Sequence, residues 1–380
     1  MKKVLFVATV VKTHIMEFHL PYLRLFKENG WETAVAARND YENPADCVIP
    51  YCDRYYDLPF ARSPWNADNG RAYKVLKALV DAEKYDIIHC HTPMGAVLTR
   101  LAARQTRKQG TKVFYTAHGF HFYKGAPAIN WLLYYPIERW LARYTDVLIT
   151  INKEDYERAR HFRAGKVCYV PGVGIDLTRF QPDRGGRAAK RTELGLGAED
   201  FVLLSVGELI PRKNHEVVLR ALALLRQQGE ADGVRYLICG QGDCAEKLKR
   251  LTEELGISDC VSFLGYRNDI QAICGCSDLF LFMSRQEGLP VALMEAMACG
   301  LPAICSNIRG NVDLVEDGIS GAVVQSTPAE VAEAICCLRA DGVLRARLAA
   351  AARKQVERFD LATVIPRMAE LYGAVTVNFP

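Results

Sequence analysis

The sequence predicts an α/β protein of two doubly wound halves, each a parallel sheet with helices on both faces, facing each other across a cleft. Three observations carry this expectation. Short continuous apolar runs alternate with helical stretches along most of the chain, as in parallel strands buried on both faces. The chain has 380 residues, more than one hydrophobic core usually supports. A polar stretch near the middle, 171–197, carries glycines, Pro171, Pro182 and the basic residues Arg184, Arg187, Lys190 and Arg191. It reads as a linker.

The first half opens with an apolar strand over 4–10, a polar turn at Lys12-Thr13-His14, a helix to Glu28 and a second strand over 31–37. No GxGxxG lies in that first turn, and the bulk of residues 10–15 argues against a pyrophosphate lying on it. Further along are a helix over 72–83, a strand over 86–90, a helix over 95–108 and a strand over 112–116. An aromatic helix over 130–144, a strand over 146–151, a helix over 154–162 and a strand over 167–170 close this half. The second half begins with a strand over 201–206. It continues with helix 215–228, strand 235–239, helix 244–255, strand 261–264, helix 269–274 and strand 278–283. Late helices are expected over 344–355 and 361–372.

Composition bounds the function. Half the residues are hydrophobic and 24% are charged, an ordinary globular balance. A net charge of +4 gives no reason to expect a nucleic-acid partner. The 13 cysteines are scattered, and the apolar run after Met1-Lys2-Lys3 is short and lacks a small-residue cleavage site. Reduced thiols and a cytoplasmic location are the expectation. No run approaches the roughly 20 apolar residues of a membrane span, so any membrane contact is expected to be peripheral, on the cytoplasmic face.

The most informative stretch is FMSRQEGLPVALMEAMACGLP, residues 282–302. An apolar strand leads into a polar turn, and Pro290 stands where a first helical residue is favoured. A helix over 291–299 follows and is stopped by Gly300 and Pro302. Glu287 therefore precedes a helix N-terminus, where unpaired amides and the helix dipole favour anions. Glu295 lies about two turns further on. Arg212 and Lys213 follow the first strand of this half, and these are the side chain types that recognise phosphate. Taken alone, that loop reads first as a solvated basic turn. Gly240-Gln241-Gly242 is a third loop on the same carboxyl edge of the sheet, and the three together outline a nucleoside-diphosphate site.

In the first half, His118 follows a strand and precedes Gly119, so it can orient a reacting group or serve only as a capping or core histidine. His89, His91, His118 and His121 raise the question of zinc. Alternate residues of a strand point to opposite faces, so His89 and His91 are not expected to converge. No paired Cys/His spacing occurs elsewhere, and no metal is expected. Aromatics beside basic residues, in 120–124 and 131–140, suit a lipid interface or a polyprenyl-linked acceptor, or plain core packing.

These motifs resemble a family. Glu287 and Glu295, in EGLPVALMEAMACGLP, look like the E-x7-E signature of retaining family-4 glycosyltransferases with the GT-B fold, which is two Rossmann-like domains. HTPMG, YTAHGFHFY, ITINKEDY, VPGVGID, SVGELIPRKNH, CGQGD and FLGYRNDI extend the resemblance over nearly the whole chain. The pattern is most similar to bacterial enzymes of exopolysaccharide or capsule synthesis. The resemblance implies an acceptor-binding domain over 1–180, with a terminal segment of about 361–380 crossing back onto it, and a nucleotide-sugar domain over 198–360.

By the same resemblance, Glu287 holds donor-sugar hydroxyls and Glu295 the ribose. Lys213 and Arg212 neutralise the diphosphate beside the backbone of Gly288, Leu289, Pro290 and Val291, with Gly240 nearby. Tyr266 and Arg267 lie near the base, and His118 lies near the reacting sugar. His14, Phe120, His121, Tyr123 and Lys124 are placed on the acceptor or membrane side. Many relatives carry Arg where this chain has Glu208, so either Arg212 substitutes or fewer cations hold the diphosphate. The family needs no metal, and the chain has no D-x-D motif. The expected donor is UDP-linked and the expected acceptor a glycan or polyprenyl-diphosphate-linked sugar. A sugar-nucleotide epimerase, a phosphorylase of the same layout and a non-catalytic sugar-nucleotide-binding protein remain the alternatives.

Overall fold

The computed structural model describes residues 1–183, 185–373 and 375–377, so Arg184 of the basic run and part of the terminal 361–380 segment lie outside the described residues. The chain divides into two compact units. Unit 1 is Met1–Gly174 with Leu361–Pro380, and unit 2 is Ile175–Asp360.

Unit 1 holds β1 (Lys3–Val10), β2 (Glu32–Arg38), β3 (Arg54–Asp57), β4 (Ile87–Cys90), β5 (Lys112–Ala117), β6 (Val147–Thr150) and β7 (Lys166–Tyr169). They pair in the order β3-β2-β1-β4-β5-β6-β7, all parallel. Every residue of β1 after Lys3 is buried, which explains its unbroken apolar run: each face lies against a separate core. Leu5 and Val7 join one core, with Phe120, Phe122 and Phe162. Val4 and Phe6 join the other, with Leu23 and Phe26.

The helix Leu361–Tyr372 belongs to unit 1 and contributes Val364, Met368, Ala369 and Tyr372 to that second core. Their spacing puts them on one face. Burying a Val or Met there is worth about 1.5–3 kcal/mol each. Tyr372 also places its hydroxyl 2.7 Å from Nδ1 of His89.

Unit 2 holds β8 (Phe201–Val206), β9 (Val234–Cys239), β10 (Val261–Gly265), β11 (Leu279–Phe282), β12 (Ala303–Ser306) and β13 (Ala322–Val324). They pair in the order β10-β9-β8-β11-β12-β13, again all parallel. Among the described residues no helix is long and apolar enough to cross a membrane.

The expected linker is not one along its length. Residues Arg187–Glu193 form a helix, and Arg187 and Arg191 both bond Asp278, at 2.6 and 2.8 Å. Lys190 pairs with Asp269 at 2.9 Å. The basic run is therefore built into unit 2, its charge matched by carboxylates distant in sequence. The expected helix over 95–108 ends at Ala102 and resumes as a short turn at Thr106–Gln109.

Candidate functional site

In a doubly wound sheet, ligands bind beyond the carboxyl ends of the strands where the strand order reverses. In unit 2 that point lies between β8 and β11, and the loops after these two strands carry Lys213 and Glu287. Lys213 Nζ lies 2.8 Å and Arg212 Nη1 2.7 Å from the same oxygen, Oε1 of Glu287. Glu287 keeps only 10% of its side chain exposed, and Lys213 13%. Lys213 also lies over the ring of Phe282, 4.8 Å from its centroid, and Arg212 donates to the carbonyl of Gln286 at 3.0 Å. A carboxylate and two cations that lie far apart in sequence are thus held together by adjacent parallel strands.

The surrounding backbone is locked by close approaches. A Cβ on Gly240 would stand 1.9 Å from the carbonyl oxygen of Gly207, and one on Gly310 2.6 Å from that of Gly288. Both glycines have positive φ, 150° and 84°, so the loops at this edge pack backbone on backbone. Arg309, which sequence reasoning passed over, donates Nε to the carbonyl of Glu287 at 3.0 Å and fixes the loop from the far side. Nothing local in the sequence marks it, because the contact depends on the pairing of β11 with β12.

Pro290 stands at the N-cap with extended backbone rather than at the first helical position, and the helix is Val291–Ala298. Its leading amides have no intrahelical partners, and Glu295 lies inside it, half-buried. Gly288 is half-buried, and Leu289 is buried. Tyr266 is exposed. Arg267 is committed to Asp269, at 2.6 Å, and Glu193, at 3.0 Å. Glu208 is largely exposed and lies 3.7 Å from Arg212, so Arg212 is shared between two carboxylates.

Unit 1 reverses its strand order between β1 and β4, and there the side chains are of another kind. His14 and His19 follow β1, His91 follows β4 and His118 follows β5. The expectation that His89 and His91 point apart is corrected: their ring centroids are 4.1 Å apart. His91 lies past the end of β4, where strand alternation no longer applies, and Thr92 turns the chain with φ 60°. His91 Nδ1 is 3.2 Å from His118 Nε2. Burial pushes His14, His19 and His91 well below the usual histidine range, His118 down to about 4 and His89 to about 3. All are neutral at pH 7.

Beside His14 is a cavity of about 540 Å³, bounded also by Met94, Tyr115, Phe122, Tyr134 and Ile137. Phe120 and Phe122 are core residues, 2% and 0% exposed, and both, with His121, also border that cavity. The Phe120 amide is held by Asp155 Oδ2 at 3.0 Å, and Asp155 is held by Asn152, which caps the helix after β6. The ring of His121 lies 4.7 Å from that of Tyr134. Tyr123 is half-buried and Lys124 exposed. Arg100, fully buried, pairs with Glu138 at 2.8 Å and lies over Tyr115.

Two parallel sheets, each with a constellation at its switch point, define an α/β class, and comparison with known proteins gives the family. A family model described as Glycosyltransferase Family 4 matches residues 22–179, and one described as Glycosyl transferases group 1 matches residues 186–355. A candidate glycosyltransferase of Bacillus subtilis (strain 168), EpsD, is 41% identical over 98% of this chain and 97% of its own. A UDP-Gal:alpha-D-GlcNAc-diphosphoundecaprenol alpha-1,3-galactosyltransferase of Escherichia coli is 31% identical over 80% of this chain and 79% of its own. Anabaena Alr3699/HepE, solved in complex with UDP and glucose, shares the fold with a TM-score of 0.79 at 21% identity, over 98% of this chain and 100% of that one. WaaG, a glycosyltransferase involved in lipopolysaccharide biosynthesis, matches with a TM-score of 0.76 at 20% identity, over 97% and 99%. The chain belongs to the GT-B glycosyltransferases of the family-4 type, and it is a glycosyltransferase.

Proposed function

We propose that the chain moves a hexosyl or N-acetylhexosaminyl group from a UDP-linked donor, with retention, to a glycan or polyprenyl-diphosphate-linked acceptor in extracellular or capsular polysaccharide synthesis. The observation that carries the donor side is the convergence of Lys213 and Arg212 on Glu287 at the switch point of unit 2. Departure of a nucleoside diphosphate develops negative charge, which preorganised cations and helix-terminal amides stabilise. In this reading Lys213 and Arg212 turn to the diphosphate and no metal is needed there. The carboxylate of Glu287 is then available to sugar hydroxyls, and Glu295 takes the ribose. His118, neutral, serves beside the reacting sugar. A donor phosphate oxygen removes the acceptor proton on the face that the leaving group quits, which gives retention.

The acceptor side rests on the apolar cavity in unit 1 and on the diphosphoundecaprenol-linked substrate named for the Escherichia coli relative. Contact with the cytoplasmic membrane face is supported by Ile129, Leu132 and Trp140, which are exposed on the helix Ala128–Leu141. The test is transfer by the purified chain from UDP-hexoses and UDP-N-acetylhexosamines to a GlcNAc-diphosphoundecaprenol acceptor, with the anomer read by NMR. A new α-glycoside from an α-linked donor supports the reading. An inverted product, or donor conversion without acceptor as in an epimerase, overturns it.

A further inference from the structure

The four histidines at the switch point of unit 1 are an unusual way to fill a protein interior. His19 and His91 are 1% exposed and His14 9%. Among the described residues, both ring nitrogens of His19, Nε2 of His14 and Nε2 of His91 have no hydrogen-bond partner. Such atoms are costly to bury unpaired, and an ion that takes one nitrogen from each ring would relieve the three rings together. Nearby polar groups show the contrast: His89 in the same cluster uses both nitrogens, on Tyr372 and Thr116 at 2.7 and 2.8 Å.

One ring nitrogen from each of His14, His19, His91 and His118 lies within 4.8 Å of the other three. We propose that these four side chains form a binding site for a borderline divalent metal of the zinc class, tying together the segments that follow β1, β4 and β5. Imidazole suits zinc, cobalt and nickel. A tetrahedral ion with Zn–N bonds of about 2.0–2.1 Å needs ligand nitrogens about 3.3 Å apart. The rings of His91 and His118 are already close, with Nδ1 of the first 3.2 Å from Nε2 of the second. The stacked rings of His19 and His91, with centroids 3.7 Å apart, reach the required spacing by turning about their side-chain bonds.

Four neutral ligands leave the ion's charge uncompensated, and the half-exposed edge at His118 lets water or an anion face it. The site lies within unit 1; it shares His118 with the reading given above but rests on the geometry of the cluster alone.

The test uses the full chain without a histidine tag, stripped with EDTA and offered zinc chloride alone. One zinc per chain retained through gel filtration, with a rise in Tm, is the expected result. His19→Gln and His91→Gln should lose that zinc while keeping the far-UV circular dichroism of the wild type. Cobalt should give the visible bands of a tetrahedral nitrogen site without a thiolate charge-transfer band, which separates the histidines from the 13 cysteines. Should the buried variants fail to fold, His118→Gln at the open edge must still alter the cobalt spectrum. Zinc that does not stay bound, a thiolate band, or binding undiminished in these variants overturns the site.

Discussion

At the switch point of the second sheet the side chains brought together are charged: Lys213 and Arg212 on a single oxygen of Glu287, with Glu208 at the rim. At the switch point of the first they are neutral, a packed set of histidines beside an apolar cavity. Charge reaches that cavity through Arg62 and through Glu138, which pairs with the buried Arg100. One topology thus presents two kinds of surface. A sheet edge fixes where a ligand goes, and the residues on the loops decide which ligand. Cations at the edge of unit 2 suit a diphosphate, whereas the apolar wall of unit 1 suits a partner with hydrocarbon.

The comparison is broken most severely by removing charge where it is structural. Arg100→Ala leaves Glu138 buried without its partner, which should cost about 3–5 kcal/mol in urea unfolding. A loss near zero would mean that the pair is not desolvated as the structure has it. In unit 2 the expected effect falls on turnover instead. Lys213→Ala and Glu287→Ala should each lower kcat by about 10²–10³-fold, with a fall in Tm smaller than that of Arg100→Ala. A large loss of Tm with kcat retained would make them structural residues.

Acid sharpens the contrast through His215, which burial pushes down to about 4 from an ordinary 6.5. The unfolded chain takes up that proton first, so the stability this group confers is complete above about pH 6.5. It is lost progressively as pH falls through about 4. In His215→Asn, the decline of urea stability between those two values should be shallower, and an unchanged slope would contradict it. The smallest expected effect is that of Glu208→Arg. It removes an exposed carboxylate 3.7 Å from Arg212, and an exposed pair of this kind is worth about 0.2–1 kcal/mol. The donor KM should fall by only a few-fold.

Much of unit 2 was legible because its site residues sit within a few positions of apolar strands. Phe282, Lys213 and Glu287 are adjacent in space because β8 and β11 pair, and both strands are plain apolar runs in the sequence. Other elements were not foreseen. β3 is a short, charged edge strand, RYYD, that lacks a strand's apolar pattern, and the helix Pro328–Ala340 lies beyond the motifs that drew the reading. β12 begins just past Pro302, beyond the stretch that carries the helix stop.

The histidine cluster was illegible for a different reason. Its members come from three loops, and strand alternation does not extend to His91, which lies outside its strand. His19 carried no signal, being one polar residue at the start of a helical stretch. The polar segment 171–197 read as a linker because the carboxylates that neutralise it, Asp269 and Asp278, are far along the chain.

Calorimetric titration of UDP into the wild-type chain, Lys213→Ala and His19→Gln tests most directly whether the charged switch point of unit 2 is the donor site. UDP should bind the wild type and His19→Gln alike, and Lys213→Ala at least about tenfold more weakly, a difference of 1.4 kcal/mol or more. Equal affinity in Lys213→Ala, or a loss confined to His19→Gln, would contradict the account.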